Sequence, residues 1–321
     1  MRPFRTIDEQ IQILKKRNMI IDVSNIDDIL IKYGYYNIIN GYKDFFLEDN
    51  SENYIKGVRF SDVYNLFVFD KTLRHITLTS CEEIETSLKT SMAYVISKNF
   101  GVYESEYLSP NNYDAGSYNP KTQQTDRDYI LSKLTNASYR DYDPFKHYRE
   151  DHGHIPPWIL LNSLSFGMLH KFFKLQKSTI KSEIINTMLK ENNKIDKRLF
   201  NDLIYIVFKY RNQAAHLGRL YNYNLHDLKS GSSVGYNQYF HSSIGVNQAL
   251  YRKGLGRNDY YTFISAIRFL DKKSFNSFIK PSLRMLNLLY FEKNSSLKEN
   301  IIKEMGFPSL DNFKNTINYT F

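Results

Sequence analysis

The amino-acid sequence predicts an all-α fold, an elaborated helical bundle, on three observations. Val63, Leu66, Phe67, Phe69, Leu73, Ile76, Leu78, Ile84, Leu88, Met92 and Val95 keep a helical period, with no Gly or Pro between Ser61 and Lys98. Period-two alternation, the mark of half-buried strands, is scarce. Neither strand-helix-strand units nor a repeat array is present, so the apolar stripes must be buried helix on helix.

The elements follow in order. Thr6-Ile-Asp-Glu9 is a capping-box pattern that opens a helix over Thr6–Asn18, continued by Ile11, Leu14 and Ile20. A short helix at Ile26–Tyr33 leads into Tyr33-Gly-Tyr-Tyr-Asn-Ile-Ile-Asn-Gly-Tyr42, a dense segment expected as a compact turn or short helix. Residues 61–98 form one long helix or two nearly collinear ones. Gly101–Thr125 is rich in Tyr, Asn, Ser, Asp and Pro and is expected as a loop; a helix at Asp126–Asn136 precedes the polar stretch Tyr139–His154. Pro156-Pro157-Trp158 opens an apolar helix through Phe173, since proline is tolerated in a first turn. A helix at Thr179–Lys190 and an apolar-periodic run from Leu199 to Leu220 come next. Tyr223–Asn258, rich in Gly, Ser, Asn and Tyr, is expected as an insertion or mobile excursion. Helices at Asp259–Leu270, Lys273–Tyr290 and after Ser296 finish the chain. The expected organisation is an N-terminal helical region (1–60), a bundle (61–222) with an inserted loop (101–154), a polar insertion (223–258) and C-terminal helices (259–321).

Charge narrows the partners. The chain carries 43 Lys and Arg against 34 Asp and Glu, a net +9, which favours a polyanion. Its 26 Tyr and 22 Phe supply stacking surfaces, although most belong to the core. Cys81 is the single cysteine, which excludes an intramolecular disulfide and a cysteine-based zinc site and fits a reducing cytoplasm. No apolar leader core and no stretch of about 18 apolar residues is present, so a cytoplasmic protein without a membrane span is expected.

The residues best suited to chemistry are Arg211-Asn212-Gln213-Ala214-Ala215-His216. Cleaving an RNA phosphodiester without metal needs a group that moves protons and a cation that holds the phosphate as charge develops. Histidine supplies the first and the arginine fork the second. Asn212 is four residues before His216, which puts its amide beside the imidazole to set the ring or contact substrate. Arg211 is five residues from His216, roughly 140° around the helix, so its long side chain must reach to share the phosphate. With 15 arginines and 8 histidines, chance alone supplies about 0.4 pairs at this spacing. Arg149 and His154 form a second, whose neighbours Glu150 and Asp151 repel phosphate and whose Gly153 and Pro156 disfavour a helix. The structural alternative for Arg211, Asn212 and His216 is a polar stripe satisfied by Glu82, Glu83 or Glu85.

Gln10…Leu14-Lys-Lys-Arg17-Asn-Met-Ile20 leads into Tyr35-Tyr36-Asn-Ile-Ile-Asn-Gly41-Tyr42; Phe69-Asp70-Lys-Thr-Leu73-Arg74 precedes Ile84-Glu85-Thr-Ser-Leu-Lys-Thr90; Pro157-Trp158…Leu164-Ser165-Phe166-Gly167 precedes Arg211-Asn212…His216. This succession, over about residues 6–220, resembles the AbiD/AbiF-like abortive-infection proteins of bacteria, whose C-terminal half is similar to HEPN domains. The resemblance implies that Arg211 binds phosphate, His216 acts as general acid or base and Asn212 orients ring or substrate. Glu85 matches the family's acidic position, where it pairs with Arg211 or forms a helix–helix ion pair. Arg74 and Lys209 are supporting candidates for substrate contact. The resemblance further implies a metal-independent endoribonuclease without cofactors, with RNA as substrate and as a regulatory partner, working as a homodimer or with a partner that supplies the second half, because such nucleases commonly place two motifs across one dimer cleft. The competing expectation is a non-catalytic RNA-binding or scaffolding protein.

Other candidates have plainer roles. Trp158 is expected to pack, and Lys15-Lys16-Arg17 and Lys171-Phe-Phe-Lys174 to be solvated faces. His152 and His154 lack further residues at zinc spacing, and Lys253-Gly254-Leu255-Gly256-Arg257 lacks a preceding strand, so neither a metal site nor a phosphate loop is expected.

Overall fold

A single helix, Phe60–Phe100, forms the spine of the computed structural model, which describes residues 4–190, 195–223, 233–287 and 295–318. Its 41 residues span about 60 Å. No Gly or Pro interrupts it, and it ends at Gly101, where φ is 90° and the amide donates to the Ser97 carbonyl. The expected stretch is therefore one helix. Helices Ser178–Leu189, Lys197–Ala215 and Tyr260–Leu270, the turn Pro157–Leu160 and the π-helical turn Tyr36–Asn40 all pack on it, which is why apolar residues recur on several of its faces.

The helix Lys197–Ala215, called the motif helix below, starts at Asp196, whose carboxylate accepts from the Leu199 amide at 2.8 Å. Leu199, Leu203, Ile206, Tyr210 and Ala214 are buried at helical spacing, with Phe200, Ile204 and Val207 widening the stripe. That stripe meets the spine and the helices Phe166–Leu175 and Tyr260–Leu270.

One polar contact locks this packing. His170 Nε2 and Asn201 Oδ1 lie 2.9 Å apart, and burial lowers the imidazole's pKa to about 4, with the Asn201 hydrogen bond opposing the shift. An unfolded histidine protonates below about 6.5, whereas the native ring stays neutral down to about 4. Acid therefore favours the unfolded chain: stability is expected to fall by up to about 3 kcal/mol as pH drops from 6.5 to 4. Urea unfolding of His170→Gln should lose that limb; an unchanged pH profile would exclude His170 as its source.

The N-terminal elements agree with their local signals. Ile7–Lys16 carries the complete Thr6/Glu9 capping box, and Ile26–Tyr33 stops at Gly34, where φ is 82°. The dense aromatic segment becomes the π-helical turn Tyr36–Asn40, anchored by buried Ile38 and Ile39.

Elsewhere tertiary contacts override local pattern. The expected loop Gly101–Thr125 holds a short helix, Glu104–Tyr107, and a two-residue ribbon, Tyr118–Asn119 with Gln124–Thr125. Buried Tyr107 and Tyr113 pin it, their hydroxyls donating to the Ile155 and Tyr107 carbonyls at 2.7 and 2.5 Å. The helix expected from Pro157 through Phe173 breaks at extended Leu164, because the Ser165 hydroxyl caps a new helix at the Met168 amide. Trp158 beside the break is half exposed rather than packed away.

Tyr223–Asn258 also departs from expectation. Residues 224–232 lie outside the described residues, but the remainder folds onto the body through Gln238–Ser243 and Gln248–Arg252, capped by Asn237 and Asn247. Val234, Phe240, Ile244 and Val246 are its buried apolar residues, too few for a periodic signal. Tyr260–Leu270 follows as expected; Lys272–Ser274 then runs through a π turn, Phe275–Ile279, into Lys280–Leu286. The expected end of that helix, Tyr290, lies outside the described residues, and Ser295–Glu304 and Leu310–Asn318 complete the chain.

Candidate functional site

The motif helix ends in a Schellman arrangement: the Gly218 amide donates to the Gln213 carbonyl at 2.9 Å and the Leu217 amide to that of Ala214 at 3.3 Å. Leu217 occupies the left-handed position, φ 59°, where glycine is preferred, and its side chain is 79 % exposed. Leu217→Gly is therefore expected to stabilise the protein by about 0.5–1 kcal/mol, the left-handed strain relieved exceeding the unfolded-chain entropy gained. A lower thermal midpoint would show instead that the leucine side chain is held by packing.

His216 is the residue on which the helix stops, and it is exposed. Its amide donates to the Asn212 carbonyl at 3.0 Å, while among the described residues no group bonds its ring. The Asn212 side chain turns the other way: Oδ1 accepts from Arg211 Nη1 at 3.4 Å. The expected amide–imidazole contact is thus replaced by an amide–guanidinium contact. Arg211 is half-buried, and among the described residues no carboxylate pairs with it.

The other candidates are dispersed. Glu85 pairs with Lys89 one turn along the spine at 3.2 Å, and Glu82 and Glu83 are exposed. Arg211, Glu85 and Glu82 each lie near enough to the buried Cys81 thiol for their charges to act on it, while burial pushes the thiol up. Lys209 sits over the Tyr205 and Phe208 rings, 5.4 and 5.6 Å from their centroids. Arg74 is committed to Asp70 at 2.7 Å. The second Arg–His pair falls apart: Arg149 donates to the Ser138 and Arg140 carbonyls, and His154 lies against Tyr103. A helix does cover Arg149, but Phe145–Asp151 ends before His154, and Gly153 has φ 72°.

Asp70 organises the surroundings. It is fully buried and accepts from Tyr42 Oη and Arg74 Nη1 at 2.7 Å each, and from the Leu220 and Tyr221 amides at 2.9 Å each. Burial pushes its carboxyl up while these four donors oppose the shift. Arg219 Nη1 donates to the Gly41 carbonyl at 2.6 Å. The chain just past His216 is thereby tied to the spine and to the N-terminal segment.

At this junction lies a cavity of about 560 Å³, walled by the Tyr33–Tyr42 segment, the spine from Phe67 to Leu78, and Ala214, Leu217 and Arg219. Lys32, Lys71, Arg74 and Arg219 line it, and among the described residues no carboxylate does. A larger cavity of about 750 Å³, among the C-terminal helices, sets Asp259, Glu299 and Glu304 against Lys253 and Lys303 and so lacks the uniformly basic lining of the first.

The profile of the Abi-like protein family matches residues 28–222, which span the cavity, the spine and the motif helix. The chain belongs to that family. No curated protein and no solved structure matches it. Membership in the Abi-like family points to bacterial abortive infection, and among the described residues no helix is long and apolar enough to cross a membrane.

Lys32, Lys71 and Asp70 were not singled out by sequence reasoning in this Abi-like chain. Asp70 and Lys71 do stand beside Arg74 in the Phe69–Arg74 stretch, and an Asp–Arg pair four residues apart on an apolar helix was the available signal.

Proposed function

We propose that this Abi-like protein is a bacterial anti-phage protein acting as a HEPN-type endoribonuclease that needs no metal. The observation supporting this reading is the end of the motif helix, where an arginine and an exposed histidine stand five residues apart, the first without a carboxylate partner and the second without a ring partner among the described residues.

In the proposed reaction the ribose 2′-oxygen attacks the adjacent phosphorus and the bond to the 5′-oxygen breaks, leaving a 2′,3′-cyclic phosphate and a 5′-hydroxyl. Arg211, steadied by Asn212, holds the phosphate oxygens as negative charge gathers on them. His216 takes the 2′-proton or gives a proton to the leaving oxygen. One imidazole cannot begin the same step both neutral and protonated. A second copy of the chain, placing its own His216 across the cleft, supplies the other role, so the working form is a homodimer. A bound regulatory RNA in the cytoplasm restrains the activity until infection.

A second reading has an observation of its own. The basic cavity beside the motif equally suits a protein that binds structured RNA without cutting it. Cleavage of labelled RNA in chelator by the unmutated protein, Arg211→Ala and His216→Ala, each with and without its native RNA, separates the two.

A further inference from the structure

Two lysines converge on one tyrosine in the cavity. Lys32 Nζ lies 5.3 Å and Lys71 Nζ 5.0 Å from the centroid of the Tyr33 ring, and Lys71 also donates to Tyr33 Oη at 3.4 Å. Arg74 and Arg219, the other cations in the walls, face Asp70 and Asp44. Among the described residues no carboxylate pairs with Lys32 or Lys71. Like charges held around one ring without a counter-charge favour an anion between them.

The remaining wall suits a flat apolar partner. Tyr36 is 73 % exposed, yet it sits on a turn fixed by buried Ile38 and Ile39, so its ring is presented at little entropic cost. Exposed Leu217 faces the same cavity from the end of the motif helix. Asn40 lines it too, and among the described residues nothing bonds its side-chain amide. An amide can both donate to and accept from a base edge.

We propose that this cavity seats one unpaired nucleotide of an RNA strand, its phosphate against Lys32 and Lys71 and its base against Tyr36. Cations combined with an aromatic platform distinguish a nucleotide from an acidic peptide or a simple anion. The volume, about 560 Å³, lies within the roughly 300–1,000 Å³ of small-molecule sites. A base stacked inside a duplex cannot enter, so the site selects single-stranded segments. Leu217 follows His216 in sequence, which sets the cavity beside the end of the motif helix. The proposal rests on the reading that RNA is the partner, and it is independent of whether the RNA is cut.

Binding therefore tests it in the His216→Ala background, by fluorescence anisotropy with a labelled single-stranded oligoadenylate, a hairpin duplex of equal length and free AMP as competitor. Replacing Lys32 and Lys71 together by Ala is expected to weaken single-strand binding about tenfold or more and to reduce the salt slope by about 1–2. Tyr36→Ala is expected to cost roughly 5- to 100-fold, with Tyr36→Phe retaining most of the affinity. Duplex binding and the exposed control Lys133→Ala should change little. Unaltered single-strand affinity in folded Lys32→Ala/Lys71→Ala and Tyr36→Ala variants overturns the proposal. Loss of AMP binding with RNA binding intact overturns it as well, because the site would then serve a free nucleotide. Cleavage by unmutated protein is scored separately, so failure of the nuclease reading is distinguishable from failure of this one.

Discussion

Replacing His216 by alanine is expected to lower the rate of RNA cleavage by about 10²–10⁴-fold, the usual contribution of a positioned proton-transfer group. Stability should change by less than about 0.5 kcal/mol, because the imidazole is exposed and among the described residues nothing bonds it. Arg211→Ala should lose a comparable factor, about 10²–10³-fold, through loss of the cation that holds the phosphate. Arg211→Lys should recover part of it at most, since an ammonium keeps the charge without the bidentate fork. Single-turnover cleavage of end-labelled RNA in chelator, read beside thermal melts, is the measurement. Folded variants that cut as fast as the unmutated protein would remove the endoribonuclease reading and leave RNA binding as the function.

Asp70→Ala is expected to cost about 3–5 kcal/mol of stability, the largest effect of any single substitution near the site. Deleting this carboxylate leaves the buried Arg74 charge unpaired and strands the Leu220 and Tyr221 amides and the Tyr42 hydroxyl without their acceptor. Asp70→Asn should cost less, because the amide oxygen keeps some of these bonds while the charge opposite Arg74 is lost. Urea denaturation measures both variants. Because Leu220 and Tyr221 follow His216 closely, Asp70→Asn should also loosen the cavity wall at Arg219, seen as faster amide exchange at 217–221. A loss below about 1 kcal/mol in Asp70→Ala would mean that packing alone holds this junction.

Where a signal is local, sequence and structure agree. The Thr6 capping box, the helix Ile26–Tyr33 and the spine rest on neighbouring residues and helical period, and each appears close to its expected place. The break at Leu164–Ser165 escaped notice because an apolar run on both sides masked one serine cap. The region 233–258 escaped for the opposite reason: four buried apolar side chains, Val234, Phe240, Ile244 and Val246, dock it with buried His241, too few to produce a period. At the site, Arg211 and His216 were legible as a spacing on a helix. Their surroundings were not: Glu85 turns to Lys89, Asn212 to Arg211 and Arg74 to Asp70.

The sequence by itself determined an all-α chain, the spine, the motif helix and the spacing of an arginine and a histidine along it, because backbone hydrogen bonding and amphipathic period act over a few residues; that the helix stops at Ala215, short of the expected Leu220, was decided by its C-terminal cap. Tertiary structure alone decided that residues 32–42, the spine from Phe67 to Leu78 and residues 214–219 meet around one basic cavity. That meeting depends on Asp70 gathering donors from two distant stretches of chain besides Arg74 on its own helix, and the bonds made across those distances leave no trace in any local pattern.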